Sequence, residues 1–212
     1  MHEHFFKIEH LDTVCVLRLG SEDGTNRLTK SCVLALTDAV KTLAGAAVPL
    51  IITGNTKFFS AGADLNEIAT LTGPAAYEFS KMGQELMNRI VNFPAPVFAA
   101  ISGYCMGGGL DLALACHRRI ASPHAVFGHR GAALGLITGW GGTQHLPRLI
   151  GKAKAMELFL TAKKVGAAEA LQIGLIDAVA EDPLQEAKRG IGEFLTDGSS
   201  AAHDDKPETR LR

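Results

Sequence analysis

From Ala100 to Cys116 the chain reads AISGYCMGGGLDLALAC, an apolar run with three consecutive glycines and one charged side chain, Asp111. No other stretch narrows the possible folds as much. Counted from Pro94, the run is long enough to cross a bilayer. Two prolines, three adjacent glycines and a carboxylate at mid-span argue against a membrane helix, which has to satisfy its own backbone in lipid. The pattern predicts a buried strand, a tight glycine turn and a buried helix. Asp111 then falls in the first turn of that helix, within the most apolar part of the chain.

The composition agrees with a folded interior. Of 212 residues, 47% are hydrophobic and 20% charged, enough for one domain with a sizeable core. The net charge of −1 offers no broad basic field for nucleic acid or a membrane surface, so neither partner is expected. Cys15, Cys32, Cys105 and Cys116 have small or apolar neighbours and form no CxxC pair. They read as buried reduced thiols, with no disulfide and no metal site expected. The opening MHEHFFKIEH carries charges where a secretory leader needs apolar residues, and a cytoplasmic location is expected.

Strand, glycine turn and helix recur along the chain without a fixed-period repeat. VCVLRL (14–19) and PLIITG (49–54) read as strands, the second as a buried parallel one. Between them Val33, Leu36, Val40 and Leu43 recur at helical spacing, with Thr29 as N-cap and Gly45 as stop. A short helix is predicted to open near Asp64. A long one is predicted with Pro74 in its first turn and Phe79, Met82, Leu86, Ile90 and Phe93 on one face. PVFAAISG is the next strand. Further on, Pro147 and Gly151 bracket RLI, predicting a junction between two short helical pieces. Lys152–Leu160 and Ala167–Ile173 read as helices, and LIDAV as a last strand. This alternation implies an α/β fold with mostly parallel strands. Beyond Asp197 the chain turns polar and loses periodicity.

Two junctions carry the chemistry, FFSAGADL and CMGGGLDL. Small residues let a ligand approach the backbone, and the first N–H groups of a helix lack internal partners. Two such turns facing each other would offer convergent donors to one oxygen, the arrangement of an oxyanion hole. Taken singly, each motif fits tight helix–strand packing equally well. A phosphate loop is excluded because no Lys-Ser or Lys-Thr follows the glycines, and the spacing for a dinucleotide fingerprint is absent. Asp111 could steady its helix through the dipole, or serve as an acid/base whose pKa its apolar neighbours raise.

Together these segments resemble the enoyl-CoA hydratase/isomerase (crotonase) family, in consistent order over about residues 5–182. KFFSAGADLNEI and AISGYCMGGGLDLALAC are similar to its two oxyanion segments. AVFGHRGAALGLITGWGGTQHLPRLIGKAKAMELFLTA is similar to the segment bearing its second acid, and AAEALQIGLIDAV to the one closing its core. The resemblance implies a spiral of ββα units with a shortened C-terminal helical region. It sets a core domain at 1–182 and a short C-terminal helix and polar tail at 183–212. It implies an acyl-CoA substrate, coenzyme A entering as part of that substrate with no permanently bound cofactor, and a homotrimer or hexamer. The N–H groups of Ala63 and Gly108 would hold the thioester oxygen, and Asp111 would be the acid/base. Ala61, Ala63, Asp64, Leu65, Asn66, Gly107, Gly108 and Trp140 would line the substrate path, with Lys57 a candidate for CoA phosphate.

The chain departs from the family pattern at the acids. Asp111 falls where the hydratases have one glutamate, and Gly131 falls on the other. Gly131 removes an acid and suggests room for a bulkier acyl group or a second water. His129 could supply a proton, although a structural histidine is the plainer reading. Arg130 could meet a substrate carboxylate, and His117 reads as a structural substitution. The short C-terminus puts the usual lid and oligomer contacts in question. Hydration or dehydration of a 2-enoyl-CoA is the leading expectation, then isomerisation, then decarboxylation. A non-catalytic acyl-CoA binder is the alternative class. A serine hydrolase using Ser60 or Ser102 lacks an indicated His–Asp pair, and RNA binding lacks a basic cluster.

Overall fold

The computed structural model describes residues 4–11 and 13–196. β1 (Phe6–His10) and β2 (Cys15–Leu19) form an antiparallel pair, and β3 (Arg27–Leu28) leads into α1 (Lys30–Ala44). Then come β4 (Leu50–Thr53), β5 (Phe58–Ser60), β6 (Gly62–Ala63), α2 (Leu65–Ala69) and α3 (Gly73–Val91). β7 (Val97–Ile101), β8 (Tyr104–Met106) and α4 (Gly108–Ala115) follow. β9 (Arg118–Ala121) and β10 (Val126–Gly128) lead through a 3-10 turn (Gly131–Leu134) to α5 (Gly142–Ile150) and α6 (Lys152–Thr161). β11 (Val165–Gly166), α7 (Ala167–Gln172), β12 (Ala178–Val179) and α8 (Pro183–Thr196) complete the described chain.

The strands form two main sheets that share one logic. β4, β7 and β9 lie side by side and parallel in a six-stranded sheet ordered β1-β2-β4-β7-β9-β12. β5, β8 and β10 lie side by side and parallel in a four-stranded sheet ordered β11-β10-β8-β5. Three successive units, opened by β4–β5, β7–β8 and β9–β10, each give the first strand to the six-stranded sheet and the second to the four-stranded one, and helices follow. The chain thus winds as a spiral of ββα units, as the resemblance implies.

Burial explains the strand sequences. Every residue of LIIT in β4 and VFAAI in β7 is buried. Their side chains divide by alternation: Leu50, Ile52, Val97, Ala99 and Ile101 join the main core with α1, α3 and α4. Ile51, Phe98 and Ala100 face a second core on the other side of the sheet. Continuous apolar runs are what a sheet covered on both faces requires. The second core is closed by α8, whose Ala187 and Ile191 are buried against Val16, Ile51 and Phe98.

The predicted helix starts agree closely where caps are present. Thr29 accepts from the Cys32 N–H, and Asp64 accepts from the Asn66 N–H at 2.8 Å, opening α2. Leu28, just before the Thr29 cap, pairs with Ala63 in a short parallel ladder. One expectation needs correction: Pro147 ends no helix and lies inside α5. It removes one backbone donor, but the helix continues, and the Gly151 N–H closes its end on the Pro147 carbonyl at 3.1 Å. Residues 183–196 share a core with the sheet, so the division at 182 marks no gap in packing. The polar segment from Asp197 onward lies outside the described residues. No helix among the described residues is long and apolar enough to cross a membrane.

Candidate active site

Adjacent parallel strands release their following loops at the same end of a sheet. β5, β8 and β10 are such a set, so the residues after each must meet. After β5 come Ala61–Ala63, after β8 come Gly107 and Gly108, and after β10 comes His129. All of these except Gly62 line one cavity of about 520 Å3, together with Asp111 and Trp140. The two glycine turns lie against each other. A Cβ on Gly62, whose φ is 92°, would fall 2.9 Å from the Gly108 nitrogen and 2.6 Å from the Met106 carbonyl oxygen. A Cβ on Gly108 would lie 3.3 Å from the Ala63 nitrogen. Gly108 is the first residue of α4, where an N–H has no acceptor within the helix. The backbone thus brings the Ala63 and Gly108 nitrogens to one wall of the cavity.

Asp111 lies one turn into α4 and is 1% exposed. Its Oδ2 accepts from the Thr138 hydroxyl, and its Oδ1 faces His129 Nε2 at 3.4 Å. The Gly142 amide lies against Oδ1 without closing a well-formed hydrogen bond. Burial pushes the Asp111 carboxyl up to about 7, and the Thr138 and Gly142 contacts pull it back only in part. Burial pulls His129 down to about 4. An acid near neutrality inside an apolar cavity is suited to proton transfer at physiological pH.

These two shifts have opposite signs for stability. The folded Asp111 holds its proton from the unfolded value of 3.8 up to about 7, which erodes stability as pH rises through that window. The folded His129 is neutral from about 4 up to the unfolded 6.5, which adds stability over nearly the same range. Between about pH 4 and 6.5 the pair holds one proton in either state and contributes almost no slope. Asp111→Asn leaves the histidine part uncompensated. The variant's stability should therefore rise relative to wild type by up to ~1.4 kcal/mol per pH unit across that window. Urea titrations of both proteins at several pH values check this; parallel stability curves would refute it.

The remaining candidates divide. Ala61, Leu65, Gly107 and Trp140 line the cavity. Trp140 is also core: it is 3% exposed, packs on Phe79, and its Nε1 donates to the Phe79 carbonyl at 3.2 Å. Asp64 and Asn66 are not part of the lining. Asp64 caps α2 and lies 3.6 Å from Arg27, and Asn66 is exposed. Lys57 is exposed at the start of β5, the opposite end from Ala61. Arg130 is exposed at the cavity edge. His117 is structural, its Nδ1 accepting from the Val97 N–H at 3.0 Å. Ser60 is fully buried, donating to the Asn26 carbonyl and accepting from the Gly62 N–H, which ties it to the turn. Among the described residues no cluster of three His, Cys, Asp or Glu side chains could hold a metal. Sequence reasoning missed Thr138 and Gly142, which reach Asp111 from about thirty positions away and carry no local signal.

Gly131 corrects the expectation of open room. A Cβ there would lie 2.7 Å from the Leu136 carbonyl oxygen, in a turn held by Leu136 N–H to Gly131 O at 2.9 Å. Backbone fills the space that a side chain would enter. Gly131→Glu should destabilise the fold by about 1–3 kcal/mol and bring no gain in hydration. Thermal melts and an enoyl-CoA assay test this; a stable, faster variant would overturn it.

The sequence model of the enoyl-CoA hydratase/isomerase family matches residues 9–205. A crotonyl-CoA hydratase of Syntrophomonas wolfei is 39% identical over 199 residues, 92% of this chain and 76% of that protein. A Bacillus subtilis protein named as a probable enoyl-CoA hydratase is 46% identical over 149 residues, covering 68% of this chain. The matched region is 58% of that relative, less than two thirds of its length. The crystal structure of an enoyl-CoA hydratase from Bacillus anthracis superposes with a TM-score of 0.85 at 32% identity, covering 90% of this chain and 76% of that one. The chain belongs to the enoyl-CoA hydratase/isomerase family.

Proposed function

We propose that this protein hydrates 2-enoyl-CoA thioesters, and runs the reverse dehydration, with Asp111 as the acid/base. The observation that carries the reading is the shared cavity: two glycine-turn nitrogens on one wall and a buried carboxyl of raised pKa on another. The thioester oxygen would accept from the Ala63 and Gly108 N–H groups. As water adds to the β-carbon, the π electrons move onto that oxygen, where the two donors stabilise the enolate. Asp111 takes the proton from water and returns one to the α-carbon. Leu65, Ile68, Leu136 and Ile137 give the acyl chain an apolar wall.

Coenzyme A enters as part of the substrate, and no resident cofactor is needed for these steps. A homotrimer or hexamer in the cytoplasm completes the proposal. Met156 and Leu160, four residues apart on α6 and 57% and 71% exposed, support a contact between subunits. The test follows the conjugated enoyl-thioester absorbance of crotonyl-CoA with the purified protein. Loss of absorbance with formation of 3-hydroxybutyryl-CoA is the expected result. Tight binding of the thioester without turnover would replace the enzyme with a binding protein. Removal of the second carboxylate at Gly131 favours one other reaction, a one-base double-bond shift, which 3-enoyl-CoA as substrate would reveal.

A further inference from the structure

Hydration needs a carboxylate to receive a proton from water, yet burial keeps Asp111 protonated up to neutrality. The second glutamate position cannot resolve this, because it is Gly131 and its space is filled by backbone. What faces Asp111 instead is His129, 4% exposed, held by the end of β10 and against the Phe159 ring at 5.3 Å. Asp111 Oδ1 and His129 Nε2 are both buried, and neither has a well-formed hydrogen bond. A buried polar atom left without a partner keeps the full cost of losing its water. They are 3.4 Å apart, only about 0.5 Å beyond the usual hydrogen-bond distance. A histidine kept purely for packing would be expected to place its buried ring nitrogens on a carbonyl or amide.

We propose that His129 is the proton store of Asp111, a positioning residue that replaces the missing second acid of the hydration reaction proposed above. In the resting pair Asp111 Oδ1 carries the proton, and the tautomer of His129 leaves Nε2 as acceptor. The Oδ1–H bond breaks and an Nε2–H bond forms, with no change in net charge; the carboxylate and imidazolium so formed are 3.4 Å apart, and their mutual attraction out of water offsets the burial that disfavours either charge alone. The carboxylate then takes a proton from water as the oxygen bonds to the β-carbon and the enolate forms. Asp111 next delivers a proton to the α-carbon, the thioester carbonyl re-forms, and the stored proton returns from Nε2 to Oδ1. Atoms and charge balance, and no proton has to leave for solvent.

The groups packed around the pair leave this exchange to its two members. α4 supplies Asp111 itself, α5 the Gly142 backbone, α6 the Phe159 ring, and the loop before α5 the Thr138 hydroxyl. From β8 comes Cys105, whose thiol burial holds protonated, and Arg130 at the cavity edge carries a charge.

The test is the pH dependence of crotonyl-CoA hydration for wild type and His129→Gln, whose amide cannot store a proton. In wild type kcat should stay nearly level from about pH 5 to 8. In the variant Asp111 has to release its proton to solvent, so kcat should fall about 30-fold at pH 5.5 and recover as pH rises past 7, with KM unchanged. A loss of the same factor at every pH, or no loss, would overturn the proposal. A second readout needs no turnover: the 15N signals of the His129 ring in wild type and in Asp111→Asn. A ring signal that reports a shared proton only while Asp111 is present supports the store; identical ring signals in the two proteins refute it. Absence of turnover by wild type counts against hydration itself and leaves the ring signals to decide the pairing.

Discussion

Asparagine at position 111 should lower enoyl-CoA hydration about a thousandfold or more while leaving the thioester bound. The substitution keeps the shape of the side chain and an oxygen that can still accept from the Thr138 hydroxyl. It removes the one carboxyl in the cavity that can exchange a proton with substrate. The Ala63 and Gly108 nitrogens belong to the backbone and are untouched, so KM should change little and the defect should fall on kcat. Initial rates from the enoyl-thioester absorbance, with binding measured separately by calorimetry, decide the matter. Retention of more than a tenth of wild-type kcat would remove Asp111 from the chemistry. A large rise in Kd with kcat preserved would make it a substrate-holding group instead.

The second large effect is expected from a single methyl group. Gly142→Ala would place a Cβ 2.2 Å from Asp111 Oδ1, 2.8 Å from Thr138 Cγ2 and 3.0 Å from His129 Nε2. All three members of the acid/base cluster would be struck together. The carboxyl would have to move by roughly 1 Å, a displacement that costs about 100-fold in rate. In an ordinary helical position alanine is more stable than glycine by about 0.5–1 kcal/mol. Here the sign should reverse, with a loss of about 1–3 kcal/mol from overpacking. Steady-state kinetics and urea denaturation of the same preparation measure both. A variant that is more stable and fully active would mean that the carboxyl has slack, and the proton-store arrangement would lose its geometric basis.

Much of this architecture was legible because its signals are local. The buried runs in β4 and β7, the Thr29 and Asp64 caps and the glycine turn before α4 each declare themselves within a few residues. The family resemblance that those motifs carry then implied the spiral. The short strands β5, β6, β8 and β10 were not legible, since two or three residues show no periodicity and are held by neighbours far along the chain. The same reason hides the environment of Asp111. Thr138 and Gly142 reach it from a different ββα unit, and only the tertiary packing of α5 on α4 brings them there. Gly131 was read as a vacancy because sequence records the loss of a side chain, while the Leu136 carbonyl that occupies the spot leaves no trace in it.

The placement of α8 has a consequence for how the protein is made. Every strand of the six-stranded sheet precedes this helix in the chain, so the sheet can assemble on the ribosome before its cover exists. Until Ala187 and Ile191 dock, Val16, Ile51 and Phe98 present an apolar surface to solvent and to neighbouring chains. The vulnerable species is therefore a folding intermediate in which the sheet has formed and α8 has not yet docked. A shortage of chaperones would act first on these molecules, in which the main core on the other side of the sheet can already be packed.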